Sequence, residues 1–301
     1  MHEYTAFGLT IQSEIELPPL PKGGGSAPDV LIRHGEVPEA IDGGIAYRNW
    51  NAQPDRFLIA LGPSSRMIVS RGRLIEVEGA NLLEAGHLVS MILGSGLAAL
   101  LMQRGTIPLH ASAIATPKGA VLVMGRSGAG KSTLLTALVR RGIPMLADDV
   151  IGLHPLEDGT VQAVPAFPAI RLWKDSLDVF GQQSDGLSKV RSSISKYYLP
   201  VSAFSSEPMP VRTIVQLTNA SRQDVEIRDI PAENRIECVS RYYFRKQFLK
   251  GMQLNRGAFA CAAQLARSAQ FLRVTRPEGR CPPDDMARMI LAHIQGAEAV
   301  A

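Results

Sequence analysis

The stretch Gly125-Arg-Ser-Gly-Ala-Gly-Lys131-Ser132-Thr133 constrains this chain more than any other. It fits the pattern G-x-x-x-x-G-K-[ST], in which closely spaced glycines let backbone N–H groups converge on phosphate oxygens. The lysine of such a loop reaches the terminal phosphates, and the hydroxyl that follows it holds Mg2+. The flanking residues agree with that mechanism. Gly119-Ala-Val-Leu-Val-Met124 predicts a buried strand running into the loop, and Leu134, Leu135 and Leu138 have the apolar spacing of a helix leaving it. Gly142 stands where that helix should stop. The expected phosphate-binding set is Gly125, Ser127, Gly128, Ala129, Gly130, Lys131, Ser132 and Thr133, with a nucleotide and Mg2+ as ligands. The competing reading is an ordinary glycine-rich turn, which the strand and helix on either side disfavour.

The chain has 301 residues, enough for two domains or one large one. Apolar residues make up 46% and charged residues 20%, a globular rather than a disordered balance. A net charge of +4 suits anionic ligands without requiring nucleic acid as a partner. No run of eighteen apolar residues predicts a membrane span; the nearest approach is Leu88–Met102. Met1-His-Glu-Tyr lacks the basic and apolar regions of a secretion signal. Cys238, Cys261 and Cys281 are widely spaced and fit neither a metal pattern nor a disulfide set, so a reducing cytoplasm is expected and each is read as a small apolar residue.

The chain divides by pattern. Residues 1–104 predict a β-rich domain with runs at Tyr4–Leu9, Val30–Arg33, Ile45–Trp50, Arg56–Leu61, Met67–Ser70 and Leu74–Val77. Pro18-Pro-Leu-Pro-Lys-Gly-Gly-Gly25 predicts a mobile loop, and Leu82–Arg104 a bridging helix with a broad apolar face. This half carries no catalytic motif, and binding or docking competes with a lid role for it. Residues 105–301 predict an α/β domain with a central sheet. Its strands are expected at Leu109–Ala115, Ala120–Met124, Met145–Asp149, Val211–Leu217, Val225–Ile230 and Phe271–Thr275. Its helices are expected at Thr133–Arg141, Ala232–Leu249, Gly257–Ala269 and Asp284–Ile294.

The strand after the loop helix ends in Ala147-Asp148-Asp149-Val150. Paired carboxylates at a strand end beside a phosphate loop fit Mg2+ coordination and acceptance of a proton from an acceptor hydroxyl. Successive strand side chains point to opposite faces unless the strand has ended, so the two need not share a job. His110 precedes the loop by one strand and, beside a carboxylate, would orient it and tune its pKa.

These residues carry a resemblance. His110-Ala-Ser-Ala, the loop itself and Arg141-Gly-x-x-x-Leu-Ala-Asp-Asp-Val150 resemble the catalytic domain of HPr kinase/phosphorylase, a P-loop fold similar to phosphoenolpyruvate carboxykinase that phosphorylates a protein serine. Tyr4-x-Ala-Phe-Gly-Leu, Pro168-x-Ile-Arg-Leu-Trp173 and Lys196-Tyr-Tyr-x-Leu-Pro200 look like a divergent branch encoded with lasso peptide precursors. The resemblance implies an ATP- and Mg2+-dependent kinase acting on the C-terminal serine of a precursor peptide. It implies Asp148 as base, Asp149 with Ser132 at the metal, and His110 as an aid. It leaves a homo-oligomer open. The segment Ala166-Phe-Pro-Ala-Ile-Arg171 departs from HPr kinase/phosphorylase by lacking the further acid of its signature, so neither phosphorolysis nor HPr as acceptor follows.

Arg171 and Lys196 stand near these motifs and would neutralise charge on a transferred phosphoryl group. The span Arg235–Arg280 holds ten Lys/Arg against two Glu, either a solvated face or a dock for an acidic peptide. Tyr197, Tyr198, Tyr242 and Tyr243 are expected in the core. Trp173 is expected to be a buried anchor rather than a platform for an adenine. Alternatives to the peptide kinase are an HPr-type protein serine kinase, a nucleotide-binding regulator without transfer activity, and a small-molecule kinase.

Overall fold

The computed structural model describes residues 1–23, 25, 27–278 and 281–296. The first half is a sheet built from β1 (His2–Ala6), β2 (Leu9–Ser13), β3 (Val30–His34), β4 (Ile45–Tyr47), β5 (Trp50–Gln53), β6 (Arg56–Gly62), β7 (Ser65–Ser70) and β8 (Leu74–Glu78). Their order is β1-β2-β3-β8-β7-β6-β5-β4. Two expected strands each contain a turn. Phe7 and Gly8 (φ 54° and 70°) reverse the chain between β1 and β2, so Tyr4–Leu9 is not one strand. Arg48 (φ 47°) does the same between β4 and β5, within the run Ile45–Trp50. A bulky residue in the left-handed region carries no turn signal of its own. The Pro18–Gly25 loop is tied to β1 rather than free: Thr5 N donates to Pro21 O (3.1 Å) and Gly23 N to Glu3 O (3.0 Å). Gly24 lies outside the described residues.

The bridging helix starts at Ala85, later than expected, because the Glu84 side chain accepts from Gly86 N and caps it there. It runs as α1 (Ala85–Met91), a wider π-type turn (Ile92–Gly96) and α2 (Leu97–Gln103). By length and apolar content this stretch would suffice to cross a membrane, yet its apolar residues from Leu88 to Met102 are mostly packed in the protein core. A Cβ on Gly96 would stand 3.2 Å from Met67 Sδ, so the missing side chain lets the helix lie close on β7.

The second half comprises β9 (Ile107–Leu109), β10 (Ala111–Thr116), β11 (Gly119–Gly125), α3 (Lys131–Arg140), β12 (Met145–Ala147), β13 (Ile151–Pro155), β14 (Val161–Val164), β15 (Ala169–Trp173), α4 (Lys174–Val179) and β16 (Lys196–Pro200). It continues with β17 (Met209–Ala220), β18 (Glu226–Asp229), α5 (Ala232–Ser240), α6 (Lys246–Gly251), α7 (Asn255–Ser268), β19 (Gln270–Pro277) and α8 (Pro283–Gly296). The main sheet runs β12-β10-β11-β17-β14-β13-β9, with β19 and β18 branching from β17. Strands β11, β17 and β19 are parallel. Strand β10 is antiparallel to both β11 and β12. Those two therefore run in the same direction and end at one edge of the sheet, and that places the site.

Two expected elements are split, for one reason. Leu109–Ala115 breaks at His110: β9 pairs with β13, while β10 pairs with β11 and β12. The expected helix Ala232–Leu249 stops at Ser240 and resumes at Lys246. Between them Tyr242–Phe244 lies along the β9–β10 junction, where His110 N donates to Tyr242 O (2.7 Å) and Phe244 N to Pro108 O (2.9 Å). Burying Tyr242 and Tyr243 there outweighs helix continuity. Strands β13, β14, β15 and β16 were not expected at all. The two halves share one apolar core, in which Trp50 and Phe57 of the first sheet meet Phe248 of α6 at ring separations of 5.6 and 4.2 Å.

Candidate active site

The loop opens from the C-terminal end of β11. Gly125 closes the strand, and a Cβ there would stand 2.6 Å from Leu217 O of the parallel neighbour β17. Gly128 (φ 80°) and Gly130 (φ 97°) take left-handed conformations that L side chains adopt only with strain. Lys131, Ser132 and Thr133 form the first turn of α3. The Lys131 ammonium donates to Gly125 O (2.9 Å) and Arg126 O (3.3 Å), folded back across its own loop. Burial lowers its pKa, against the opposing pull of Asp148 and Asp149. Arg276 of β19 braces the loop from outside, its Nε donating to Ala129 O (3.0 Å).

The open face of the loop forms one wall of a cavity that His110, Asp149, Arg171 and Lys196 also line. Of the expected phosphate-binding residues, Ser127, Gly128, Gly130, Lys131, Ser132 and Thr133 line it. Gly125 and Ala129 are buried behind them and shape the loop instead.

The two aspartates stand differently from the expectation. Strand β12 ends at Ala147, and Asp149 has φ 70°, so strand alternation no longer governs where the pair points. Asp148 is buried at 5% exposure. Its Oδ1 accepts from Ser112 Oγ (2.7 Å) and Ser132 Oγ (3.0 Å), and its Oδ2 from Arg171 N (2.9 Å). Asp149 lines the cavity. Arg171 Nη1 donates to its Oδ2 at 2.5 Å, and His110 Nδ1 lies 3.5 Å from its Oδ1. Burial pushes the Asp149 carboxyl upward, but Arg171, His110, Lys196 and Lys131 together outweigh it and hold its pKa below the ordinary value. The carboxylate hydrogen-bonded to the loop serine is thus Asp148, where Asp149 was expected beside Ser132, and the one that lines the cavity is Asp149.

His110 occupies the break between β9 and β10. Its Nδ1 is 2.8 Å from Asp149 O, which fixes Nδ1 as the donor. Burial, aided by nearby Lys131, lowers its pKa, so the ring is neutral and fixed beside Asp149. Arg171 and Lys196 arrive on the small β15–β16 sheet that covers the cavity. The Arg171 guanidinium lies 5.4 Å over the Tyr198 ring, and its buried Nε has no hydrogen-bond partner among the described residues. Lys196 Nζ lies 5.8 Å over the ring of its cross-strand partner Trp173. Trp173 is 50% exposed and lines the cavity, so it is not the buried anchor expected.

Sequence reasoning missed Ser112 and Arg276 as parts of the site. Ser112 follows His110 by two residues in the motif already singled out, and strand alternation was the signal that could have found it. Arg276 was hidden in the basic span. That span is not one cationic face: Arg241 pairs with Glu237, Arg235 donates to Ile230 O and Ala266 O, and Arg273 donates to Gln216. Arg280 lies outside the described residues. The four tyrosines are buried, as expected, and so are Cys238 and Cys261, whose thiols burial pushes up to about 11 and about 12.

No family model matches the chain. No curated protein matches it either. Among solved structures it is similar to the Hpr(Ser) kinase/phosphatase from Coxiella burnetii, at 16% identity and a TM-score of 0.33, over 64% of this chain and 93% of that one. At that distance the chemistry of this site is carried by its own side chains.

Proposed function

We propose that this chain is an ATP- and Mg2+-dependent phosphotransferase whose acceptor is a serine hydroxyl of a peptide. The observation that carries the reading is the convergence of the loop, Asp149 and His110 around one cation-lined cavity, with Asp148 buried behind it on Ser132. A protein that only holds a nucleotide has no use for an ionised carboxylate kept open beside the phosphate loop. The lasso-peptide branch resembled in sequence makes the C-terminal serine of a precursor peptide the finer form of the proposal.

The residues present fit Mg2+. The Ser132 hydroxyl and the Asp148 carboxylate are hard oxygen ligands 3.0 Å apart, and Mg2+ usually takes one or two carboxylates plus substrate phosphates. Ser132 and Asp148 would hold the ion, which when bound neutralises charge on the β- and γ-phosphates. The loop amides and Lys131 grip the triphosphate. Arg171 and Lys196 line the cavity that would take the transferred group. Asp149 accepts the hydrogen bond of the acceptor hydroxyl and then its proton. Its depressed pKa makes it a weak base, which suits a loose transition state in which the proton moves late. His110 holds Asp149 in its left-handed conformation through the Asp149 carbonyl.

The test is incubation with ATP, Mg2+ and serine peptides, including a precursor-type peptide ending in serine, followed by mass spectrometry. A phosphopeptide should form with the native chain. Lys131→Ala and Asp149→Asn should each lower its rate by at least about a hundredfold without loss of folding. Near-native turnover in Asp149→Asn would remove it as the base.

A further inference from the structure

Trp173 lines the same cavity as the phosphate loop, and half of its side chain is open. Arg171 and Trp173 stand two residues apart on one face of β15. Arg171 marks one end of that face, where its Nη1 donates to Asp149 Oδ2 (2.5 Å). Trp173 lies about 7 Å further along, at the usual rise of a strand. Beyond it the chain turns into α4, where Ser176 Oγ lies 3.2 Å from Thr133 Oγ1. Thr133 is the last residue of the loop motif, and it lines the cavity together with Ser176 and Trp173. Strand β15 therefore crosses the cavity from Asp149 toward the end of the loop at Thr133. Lys196, the cross-strand partner of Trp173, stands 5.8 Å over the indole, a cation–π contact that orients the ring.

With Asp149 at the acceptor hydroxyl, the transferred phosphoryl group lies beside Asp149, and the nucleoside lies at the opposite end of the triphosphate. Trp173 stands on that side of the cavity. We infer that the Trp173 indole is the platform on which the nucleobase of the phosphoryl donor stacks. The loop grips phosphates and takes no account of the base, so the indole supplies the contact to the nucleoside end. Stacking on an aromatic side chain needs only the π-face that every base has, and it is strong enough to be measured one ring at a time. The half-open indole is thus a binding surface, where the sequence pointed to an anchor in the core. The inference rests on the phosphotransferase reading and deepens it.

Calorimetric titration with Mg2+ present tests it, with ATP and inorganic tripolyphosphate as probes. Trp173→Ala should weaken ATP binding at least about fivefold and leave tripolyphosphate within about twofold of the native value. Trp173→Phe restores a π-face and should recover most of the lost ATP affinity. A second readout needs no substitution. Trp50 is buried, so ATP should quench the emission of the exposed Trp173 in the native chain, and tripolyphosphate should not. Equal weakening of both probes in Trp173→Ala would mean that the indole only shapes the loop, and would overturn the inference. So would unchanged ATP affinity with a raised KM for the serine peptide, which would give the ring to the acceptor, or equal quenching by both probes. Binding is measured without transfer, so the two readings fail separately. Indole-dependent ATP binding without any phosphopeptide keeps the base platform and removes the kinase. Transfer with ATP affinity unchanged in Trp173→Ala does the opposite.

Discussion

Asp148 and Asp149 are adjacent in sequence and opposite in circumstance. One is closed off by the donors Ser112, Ser132 and Arg171 N, and the other is open to the cavity. Adjacency in the sequence identified the pair but not its division into one buried and one cavity-lining carboxylate. That division depends on the strand ending at Ala147 and on the left-handed turn at Asp149, neither of which has a compositional sign. His110 leads to a prediction about pH. Its pKa is lowered in the folded chain, so as pH falls below the unfolded value near 6.5 the unfolded chain gains a proton that the folded chain refuses. Stability then falls as pH drops through that window, by at most about 1.4 kcal/mol per pH unit from this group. Asp149 acts lower down: its depressed pKa adds stability above the ordinary carboxylate range, lost only as pH falls through its folded value. Calorimetric melting at pH 7.5 and 5.5 should therefore show a smaller drop in Tm for His110→Asn than for the native chain. Parallel drops would mean that the histidine is not held neutral.

At the scale of elements, the halves are joined where α6 meets the first sheet. Gly251 ends that helix, and a Cβ on it would stand 2.4 Å from the Trp50 ring and 3.1 Å from Ala52 Cβ. Gly251→Ala should destabilise the chain by about 1–3 kcal/mol through overpacking, and the Trp50 fluorescence should change with it. An unchanged denaturation midpoint would show that the contact gives way freely. The same neighbourhood shows what was legible in the sequence. Strand β11, helix α3 and the loop between them could be read because glycine spacing and apolar periodicity are local signals. The β15–β16 sheet, which carries Arg171 and Lys196 over the site, could not, because its strands are short and lie 22 residues apart. The helix expected over Ala232–Leu249 hid the Tyr242–Phe244 segment, whose pairing with β9 is non-local.

At the scale of the molecule, the order β12-β10-β11 is the feature on which the rest depends, because two parallel strands flanking an antiparallel one deliver the acids and the glycine-rich loop to the same edge. The α/β architecture was visible in the alternation of strand and helix signals. The shared core was not, since residues 50–57 and 248 meet only in the fold. Calorimetric titration of ATP into the native chain and into Asp148→Asn, with and without Mg2+, tests this arrangement most directly. If Asp148 and the loop act on one triphosphate, Mg2+ should tighten ATP binding by at least about tenfold in the native chain and by less than about twofold in the variant. Equal tightening in both proteins, or no binding of ATP by the native chain, would contradict it.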